Sequence, residues 1–243
     1  MSELAGRTAL VTGATAGIGR AVALRLAARG ADVVVHGRDP ERGADVVAEI
    51  ERHGGTARFL TADLTDADEV VQLAADAGEV DILVNNAGIY EFTSTPDTTA
   101  QSFDRHVAIN TRAPFLLVGA LAPDMATRGH GSIVNISSTA ATMVAPIGAA
   151  YGASKAAVEL LTRSWATEFG AAGVRVNGVS PGPVHTSGTE AMLGLLGQVN
   201  VRNRVGEPDE IAEVVLFLVD DRSSYINGTV VVANGGERSA LPA

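Results

Sequence analysis

Cysteine and several sequence patterns are missing from this chain of 243 residues, and each absence argues against a class of protein or site. Cysteine is absent, which rules out disulfides, thiolate metal ligands and thiol nucleophiles. Lysine and arginine total 18 against 28 acidic residues, and this acidic balance argues against nucleic acids and anionic membranes as partners. No apolar run is long enough to span a bilayer, and residues 1–9 lack the pattern of a secretion signal, so we expect a cytoplasmic protein. The histidines lack the spacing of metal ligands, so we predict no catalytic metal.

Short strand-like runs and longer helix-like segments alternate along the chain. The strand candidates are Thr8–Val11, Asp32–His36, Ala57–Leu60, Ile82–Asn85, Ser132–Ser137, Arg175–Ser180 and Thr229–Ala233. The helix candidates are Gly17–Arg29, Glu41–His53, Ala67–Ala77, about Ala100–Thr127, Ala149–Ala171 and Asp209–Val219. The strand candidates are continuously apolar, which is typical of strands buried on both faces. The pattern predicts an α/β fold with a doubly wound, parallel, seven-stranded sheet between two helical layers, in a single domain over 1–243.

A glycine-rich turn follows the first candidate strand and opens the first candidate helix. It reads Thr-Gly-Ala-Thr-Ala-Gly-Ile-Gly over residues 12–19. Its glycines let the backbone turn sharply and approach a pyrophosphate, for which the helix start supplies free N–H groups and a positive dipole end. Such a turn by itself is also compatible with a plain tight turn, and its place between strand and helix favours the dinucleotide site. The candidate cofactor contacts here are Gly13, Thr15, Gly17, Ile18 and Gly19.

The spacing of these glycines, Gly-x3-Gly-x-Gly, resembles the first turn of the short-chain dehydrogenase/reductase family. The resemblance continues along almost the whole chain, through Asn85-Asn86-Ala87-Gly88, Asn110, Ser138, Tyr151-x3-Lys155 and Pro181-Gly182. Within the family, the overall pattern is similar to that of the 3-oxoacyl-[acyl-carrier-protein] reductases. The resemblance implies a Rossmann-type fold, an oxidoreductase acting on a CH–OH group with NAD(P), and a homotetramer.

The resemblance also assigns residues to the cofactor cleft. It implies cofactor contacts at Asp63, Leu64, Asn86, Ala87, Gly88, Pro181, Gly182, Val184 and Thr186. Among these, Asp63 would accept a hydrogen bond from the adenine amino group, unless it is only a turn residue before a helix. The Val184 backbone and the Thr186 hydroxyl would hold the nicotinamide carboxamide.

The end of the second strand bears on which nicotinamide cofactor is used. An acidic residue at this place binds the adenosine ribose 2′-OH and selects NAD, but here the aligned residue is Gly37, followed by Arg38. Glycine leaves room for a 2′-phosphate, and Arg38 can pair with it. Ala16 stands where many NADP-using relatives carry a second basic residue, and Asp39 either pairs with Arg38 or caps the next helix. The pattern favours NADP(H), with NAD(H) and a solvated Arg38 as the alternative.

Four residues are candidates for the chemistry. Tyr151 and Lys155 share a helix face because they lie four residues apart, and a nearby ammonium or oxidised nicotinamide lowers a tyrosine pKa toward neutrality. Lys155 would also bind the nicotinamide ribose. Ser138 ends the fifth strand, where a hydroxyl can stabilise charge on a substrate oxygen, whereas alternation turns Ser137 the other way. By resemblance, Asn110 holds a water that connects the lysine to solvent; it is alternatively a buried side chain that satisfies a helix carbonyl.

The substrate is not identified by the sequence. Three stretches are candidate pocket walls, namely Ile89–Phe92, Thr139–Gly148 and a lid over about Thr186–Arg204, and their apolar residues suit a hydrophobic ketone or secondary alcohol. A 3-oxoacyl thioester is the specific alternative, although Gly129 and Ala172 replace the basic residues that such reductases tend to carry. An alternative from another class is a non-catalytic NADP(H)-binding regulatory protein.

Overall fold

The computed structural model of the protein describes residues 3–143, 148–186 and 200–236. Seven strands form one sheet in the order β3-β2-β1-β4-β5-β6-β7, and every neighbouring pair is parallel. The strands are β1 Thr8–Val11, β2 Asp32–Gly37, β3 Thr56–Thr61, β4 Ile82–Asn85, β5 Gly131–Ile136, β6 Val174–Pro181 and β7 Val230–Ala233. Each predicted strand is confirmed with ends shifted by no more than one residue.

The helices cover both faces of the sheet. They are α1 Gly17–Ala28, α2 Pro40–Arg52, α3 Ala67–Ala77, α4 Ala100–Val107, α5 Ala113–Arg128, α6 Ala149–Phe169 and α7 Pro208–Val219. Helices α1, α2 and α7 share one core cluster on one face, while α3, α5 and α6 share a second cluster on the other. The doubly wound architecture is therefore confirmed, whereas a single domain over 1–243 stays a prediction. Within the described ranges, no helix combines the length and the apolar character that a membrane span needs.

The long helix expected over about Ala100–Thr127 is interrupted, which corrects that prediction. Helix α4 ends at Val107, a π-helical turn covers Ala108–Arg112, and α5 then runs from Ala113 to Arg128. A π turn inserts one residue into the helical repeat and is frequent at functional sites. Here it contains Asn110, one of the four candidate catalytic residues.

Two aspartates set the starts of helices next to the cleft. Asp39 accepts hydrogen bonds from the N–H groups of Glu41 and Arg42, with Pro40 as the first helical residue. This decides the open question in favour of a helix cap. Asp66 caps α3 in the same way.

The chain order explains where a ligand can bind. Strand β1 lies in the middle of the sheet and pairs with β2 on one side and β4 on the other. The connections after β1 and β4 therefore leave in opposite directions and open a crevice at the carboxyl edge. The glycine-rich turn and the segment after β4 line this crevice.

Candidate active site

The glycine-rich turn is shaped by contacts that only glycine permits. Gly13 has φ of 63°, and a Cβ added there would lie 2.9 Å from the Ala87 Cα. A Cβ at Gly19 would lie 2.3 Å from the Gly13 carbonyl oxygen. Helix α1 begins at Gly17, and its N-cap residue Ala16 makes no side-chain capping hydrogen bond. The first-turn N–H groups of α1 are thus left to a ligand, as an anion site at a helix start requires.

The segment after β4 braces this turn. The Asn86 side-chain amide donates to the carbonyl oxygens of Thr12 at 2.9 Å and Gly13 at 3.1 Å. The backbone N–H groups of Asn86 and Ala87 donate to the Thr12 hydroxyl at 3.0 and 3.1 Å. Asn86 therefore acts here through the shape of the turn, and it also lines the crevice.

One part of the crevice is a cavity of about 510 Å³ next to the glycine-rich turn. The sequence-predicted residues on its wall are Gly13, Thr15, Gly17, Ile18, Arg38, Asp63, Leu64, Asn86, Ala87, Gly88 and Thr186. The Asp63 carboxylate accepts a 2.9 Å hydrogen bond from the Thr65 N–H, which lowers the pKa of Asp63. Asp63 is thus an ionised acceptor on the wall of the cavity.

Two features of the second strand end differ from expectation. The direction in which a Gly37 side chain would extend is filled by Thr15, because a Cβ at Gly37 would lie 2.4 Å from the Thr15 methyl carbon. Glycine there serves the packing of the turn against β2, while the Gly37 backbone still lines the cavity beside Arg38. Sequence reasoning also missed Arg42, which lines the same cavity as Arg38. Its signal was its place one helical turn after Arg38, at the start of α2.

A second cavity of about 290 Å³ holds the candidate chemistry. Its wall includes Ser138, Tyr151, Lys155, Pro181, Gly182, Val184 and Thr186, all of them sequence-predicted. The two cavities share part of their walls, namely Ile18, Asn86, Gly88, Tyr90 and Thr186. The two cavities therefore form one continuous cleft along the carboxyl edge of the sheet.

Tyr151 lies in the first turn of α6, with its phenol largely buried. Burial raises the pKa of Tyr151, and the hydrogen bond with Ser138 acts in the opposite direction without cancelling it. Lys155 was expected to lower the pKa of Tyr151, but it is not among the groups that do so. Its Nζ donates instead to the Ile136 carbonyl oxygen. Ser138 also accepts a 3.2 Å hydrogen bond from the Ala140 N–H, whereas Ser137 is buried and donates to Glu159 at 2.9 Å. The structure thus supports the choice of Ser138 over Ser137.

Lys155 is the only lysine of the chain, and it is buried under the cleft with 4% of its surface exposed. Its Nζ donates to the Ile136 carbonyl oxygen at 2.8 Å. Burial lowers the pKa of Lys155 from 10.5 to about 8. A Cβ at Gly88 would lie 3.2 Å from the Lys155 Nζ and 3.3 Å from the Asn110 Oδ1. Gly88 therefore separates the two polar groups without crowding either one.

Asn110 connects three parts of the site. Its Oδ1 accepts from the Ile89 N–H, and its Nδ2 donates to the Ile89 carbonyl oxygen and to the Ser154 hydroxyl, each at 2.9 Å. Ser154 in turn donates to the Tyr151 carbonyl oxygen at 2.7 Å. The alternative prediction, that the Asn110 side chain bonds directly to a helix carbonyl, is not met. Asn110 is connected to the Tyr151 carbonyl of α6 only through the Ser154 hydroxyl. Its water-holding role stays a prediction.

Aromatic side chains surround Tyr151, and two of them, Tyr90 and Phe92, belong to the predicted wall Ile89–Phe92. The Tyr90 and Phe92 ring centroids lie 6.1 and 6.3 Å from that of Tyr151 and 5.7 Å from each other. Glu91, between them, turns toward α4, where it accepts a 2.6 Å hydrogen bond from Ser102. The buried His106 ring lies 6.5 Å from the Tyr151 ring. The predicted wall over 144–147 and the lid over 187–199 lie outside the described residues.

Comparisons with known proteins identify the family of the chain. Residues 13–237 match a family model described as enoyl-(acyl carrier protein) reductase. The chain is 37% identical to a cyclopentanol dehydrogenase of Comamonas testosteroni, over 97% of this chain and 98% of that protein. A solved short-chain dehydrogenase/reductase family protein shares 52% identity and a TM-score of 0.92, covering 96% of this chain and 98% of that one.

A further solved structure bears on the cofactor. It is a 3-oxoacyl (acyl-carrier-protein) reductase from Agrobacterium tumefaciens C58 with NADP bound, with 33% identity, a TM-score of 0.92, and coverage of 96% of this chain and 95% of that one. The fold and the cleft define a dinucleotide-binding oxidoreductase. The chain belongs to the short-chain dehydrogenase/reductase family.

Proposed function

We propose that this chain is an NADP(H)-dependent carbonyl reductase or alcohol dehydrogenase for a neutral, largely apolar ketone or secondary alcohol. The observation that carries the proposal is one continuous cleft in which the phosphate-binding turn meets Ser138, Tyr151 and Lys155. A cytoplasmic location and a homotetrameric assembly belong to the same proposal.

The cleft residues fit a nicotinamide dinucleotide. The glycine cradle and the uncapped start of α1 suit its pyrophosphate, and the ionised Asp63 suits the adenine amino group. At the other end, Val184 and Thr186 lie beside the catalytic candidates, where they suit the carboxamide. When bound, the cofactor would supply or accept a hydride at the substrate carbon.

Arg38 and Arg42 support NADP(H) over NAD(H). Both lie on the wall of the same cavity, and two guanidinium groups can form charge-assisted hydrogen bonds with a 2′-phosphate. We expect Arg38→Ala and Arg42→Ala each to weaken NADP binding by about 1.5–3 kcal/mol, or roughly 10- to 150-fold. NAD binding should change little, since it lacks that phosphate.

The control for these variants is Arg52→Ala at the other end of α2, where Arg52 donates to the carbonyl of its own helix residue Ala48. Isothermal titration with NADP and NAD gives two dissociation constants for each protein. If the Arg42→Ala protein keeps the wild-type NADP affinity, Arg42 does not contact the phosphate. If wild type prefers NAD, the proposed selectivity is wrong and the enzyme class remains.

The protein's own groups account for the proton in the reaction. Because burial raises the pKa of Tyr151, the phenol keeps its proton at neutral pH and can donate it to a carbonyl oxygen as that oxygen gains negative charge. The Ser138 hydroxyl can hold the same oxygen. The Lys155 ammonium would bind the nicotinamide ribose and favour the phenolate that forms. Oxidation of an alcohol uses the same groups in reverse.

Tyr151→Phe is the direct test of this chemistry. The change removes only the hydroxyl, so we expect NADPH turnover to fall by at least about a hundredfold while NADPH binding remains. Turnover is followed by the loss of NADPH absorbance. A variant that reduces ketones at the wild-type rate would exclude Tyr151 as the proton donor.

The wall around Tyr151 supports an apolar substrate. Tyr90, Phe92 and Met143 line the cavity, and Glu91 is turned away from it. Among the described residues on this wall, Lys155 is the one charged side chain, and its ammonium already donates to the Ile136 carbonyl oxygen. The described wall therefore offers no arginine to pair with a substrate carboxylate. We expect Phe92→Ala to raise KM for a cyclic or aryl ketone about tenfold with kcat largely retained, because a contact ring is lost. Glu91→Gln is the matched control and should leave KM unchanged.

A 3-oxoacyl thioester remains a second candidate, because similar proteins include a 3-oxoacyl (acyl-carrier-protein) reductase. Against a carrier-protein substrate, Arg128 is already engaged with Asp81 and Asp124 at 3.5 and 3.0 Å. Reduction of acetoacetyl-coenzyme A alongside simple ketones separates the two candidates. Cofactor binding without turnover of any compound would favour a regulatory protein.

A further inference from the structure

A histidine connects the glycine-rich turn to the second and third strands. His36 lies near the end of β2 with 2% of its surface exposed. Its Nδ1 accepts a hydrogen bond from the Gly13 N–H, and its Nε2 contacts the Ala62 carbonyl oxygen, each at 3.2 Å. The His36 carbonyl oxygen accepts from the Ala14 N–H at 2.8 Å. One residue therefore holds two consecutive N–H groups of the turn.

These contacts admit a single form of the imidazole. The Gly13 N–H is a donor, so the Nδ1 must present a lone pair. The Ala62 carbonyl is an acceptor, so the Nε2 must carry the hydrogen. Only the neutral Nε2–H tautomer satisfies both partners. A second proton on Nδ1 would set two donors against each other at the Gly13 contact.

We propose that neutral His36 is a positioning residue that holds the glycine-rich turn in its phosphate-binding shape, and that protonation of His36 releases the turn and weakens NADP(H) binding. This inference rests on the proposed cofactor site. Little space is left beside Gly13 for the turn to shift, because even a Cβ added there would lie 2.9 Å from the Ala87 Cα.

The surrounding charges act in one consistent direction. The charged groups in the same cavity are Arg38 beside His36, Arg42 from α2 and Asp63 from the segment after β3, while residues 12–19 carry no charge. Burial lowers the pKa of His36 below 6.5, Arg38 adds to that lowering, and the Ala62 contact opposes it. The neutral form is therefore the one present at neutral pH.

The sign of the pH effect follows from linkage. Between the folded pKa and 6.5, the unfolded chain binds more protons at His36 than the folded protein does. The stability contributed by neutral His36 is thus fully present above the unfolded pKa and is lost as the pH falls. NADP affinity should fall over the same acidic range if the turn opens.

Two isosteric variants separate the contacts. His36→Asn retains an oxygen acceptor near the Nδ1 position but cannot gain a proton, whereas His36→Gln retains a donor near the Nε2 position and loses the Gly13 acceptor. We expect His36→Asn to bind NADP within about threefold of wild type at about pH 7.5, and His36→Gln to bind about tenfold more weakly. Circular dichroism checks that each variant is folded.

The decisive measurement is the NADP dissociation constant between about pH 7.5 and about pH 5. The 2′-phosphate of NADP also gains a proton in this range. The resulting change in affinity is common to wild type, His36→Asn and His36→Gln and therefore cancels in their comparison. Wild type should lose more NADP affinity than His36→Asn across the range, because only the wild-type side chain can gain a proton there. Equal pH dependence in the two proteins, or normal binding by His36→Gln, would overturn the proposal.

A second measurement does not need the cofactor. In ¹⁵N-histidine-labelled protein, the His36 ring should show the Nε2–H tautomer at neutral pH. An Nδ1–H tautomer, or a charged ring at neutral pH, would overturn the inference even if NADP binds. Failure of wild type to bind NADP, with the expected tautomer present, would instead count against the proposed function.

Discussion

Replacement of Lys155 by methionine should stabilise the protein while abolishing its activity. Lys155 is enclosed beneath the cleft and donates to the Ile136 carbonyl oxygen. Methionine has a similar length and flexibility and can fill the same space without a charge. The variant therefore removes a buried ammonium without leaving a large void.

The magnitude follows from the pKa of Lys155. Burial lowers it from 10.5 to about 8, and since one pKa unit corresponds to about 1.4 kcal/mol, the charged form destabilises the fold by about 3 kcal/mol at neutral pH. Loss of the Ile136 hydrogen bond offsets about 1 kcal/mol of the gain. The net stabilisation of Lys155→Met at neutral pH should be about 2 kcal/mol, or a rise in Tm of roughly 4–8 °C.

The pH dependence of the unfolding free energy checks independently that charged Lys155 destabilises the fold. Between about pH 8 and 10.5, the unfolded chain holds the Lys155 proton and the folded protein does not. Wild-type stability from this group therefore rises with pH across that window, and the penalty is fully present below it. The advantage of the methionine variant should shrink over the same window and disappear near its upper end.

The assay is urea and thermal unfolding of wild type and variant at matched protein concentration and at several pH values. Arg52→Met, a change at an exposed position on α2, is the control. Because it retains Lys155, its stability relative to wild type should not change with pH across this window. Because Lys155 is the only lysine, ¹³C-lysine labelling gives one side-chain signal whose titration reports its pKa directly. A midpoint near 10.5, or a variant less stable than wild type at neutral pH, would refute the reasoning.

Three further predictions concern the site and the assembly. Gly88→Ala should lower kcat by about tenfold with little loss of stability, because the added methyl group would press on Lys155 and Asn110 and a small misplacement of catalytic groups is costly. Steady-state NADPH oxidation measures kcat, and an unchanged value would contradict the prediction. Asn110→Ala removes three hydrogen bonds and should cost about 2–4 kcal/mol in urea unfolding, with full stability as the contrary result. The exposed Phe115 and Leu160 support the homotetramer, which light scattering after size-exclusion chromatography tests, and a monomer would refute it.

Local pattern was sufficient for the strands and most helices. Each strand is a short apolar run that ends near a glycine or a polar residue, so its limits depend on neighbours in the sequence. The π turn over Ala108–Arg112 was different, because its residues do not differ in kind from those of an ordinary helix. At the π turn, the Asn110 side chain forms hydrogen bonds with Ile89 and Ser154, which are distant in sequence.

The cofactor cleft shows the same division. Gly13, Gly17 and Gly19 could be found from spacing, because a tight turn before a helix is a local feature. Arg42 and His36 were missed, because their importance depends on which chain segments lie opposite them. That a side chain at Gly37 would collide with Thr15, a residue on a different loop, was likewise decided by the tertiary structure.

The sequence by itself determined the order of the elements and the glycine-rich turn, because these depend on periodicity and spacing along the chain. The resemblance to the family singled out Ser138, Tyr151 and Lys155 as the catalytic candidates. Tertiary structure alone decided the aromatic wall around Tyr151 and the direction of the pKa changes. Burial raises the pKa of Tyr151 and lowers that of Lys155, since a low-dielectric surrounding disfavours the charged form of either group. That surrounding is built from segments far apart in sequence, so no local pattern encodes it.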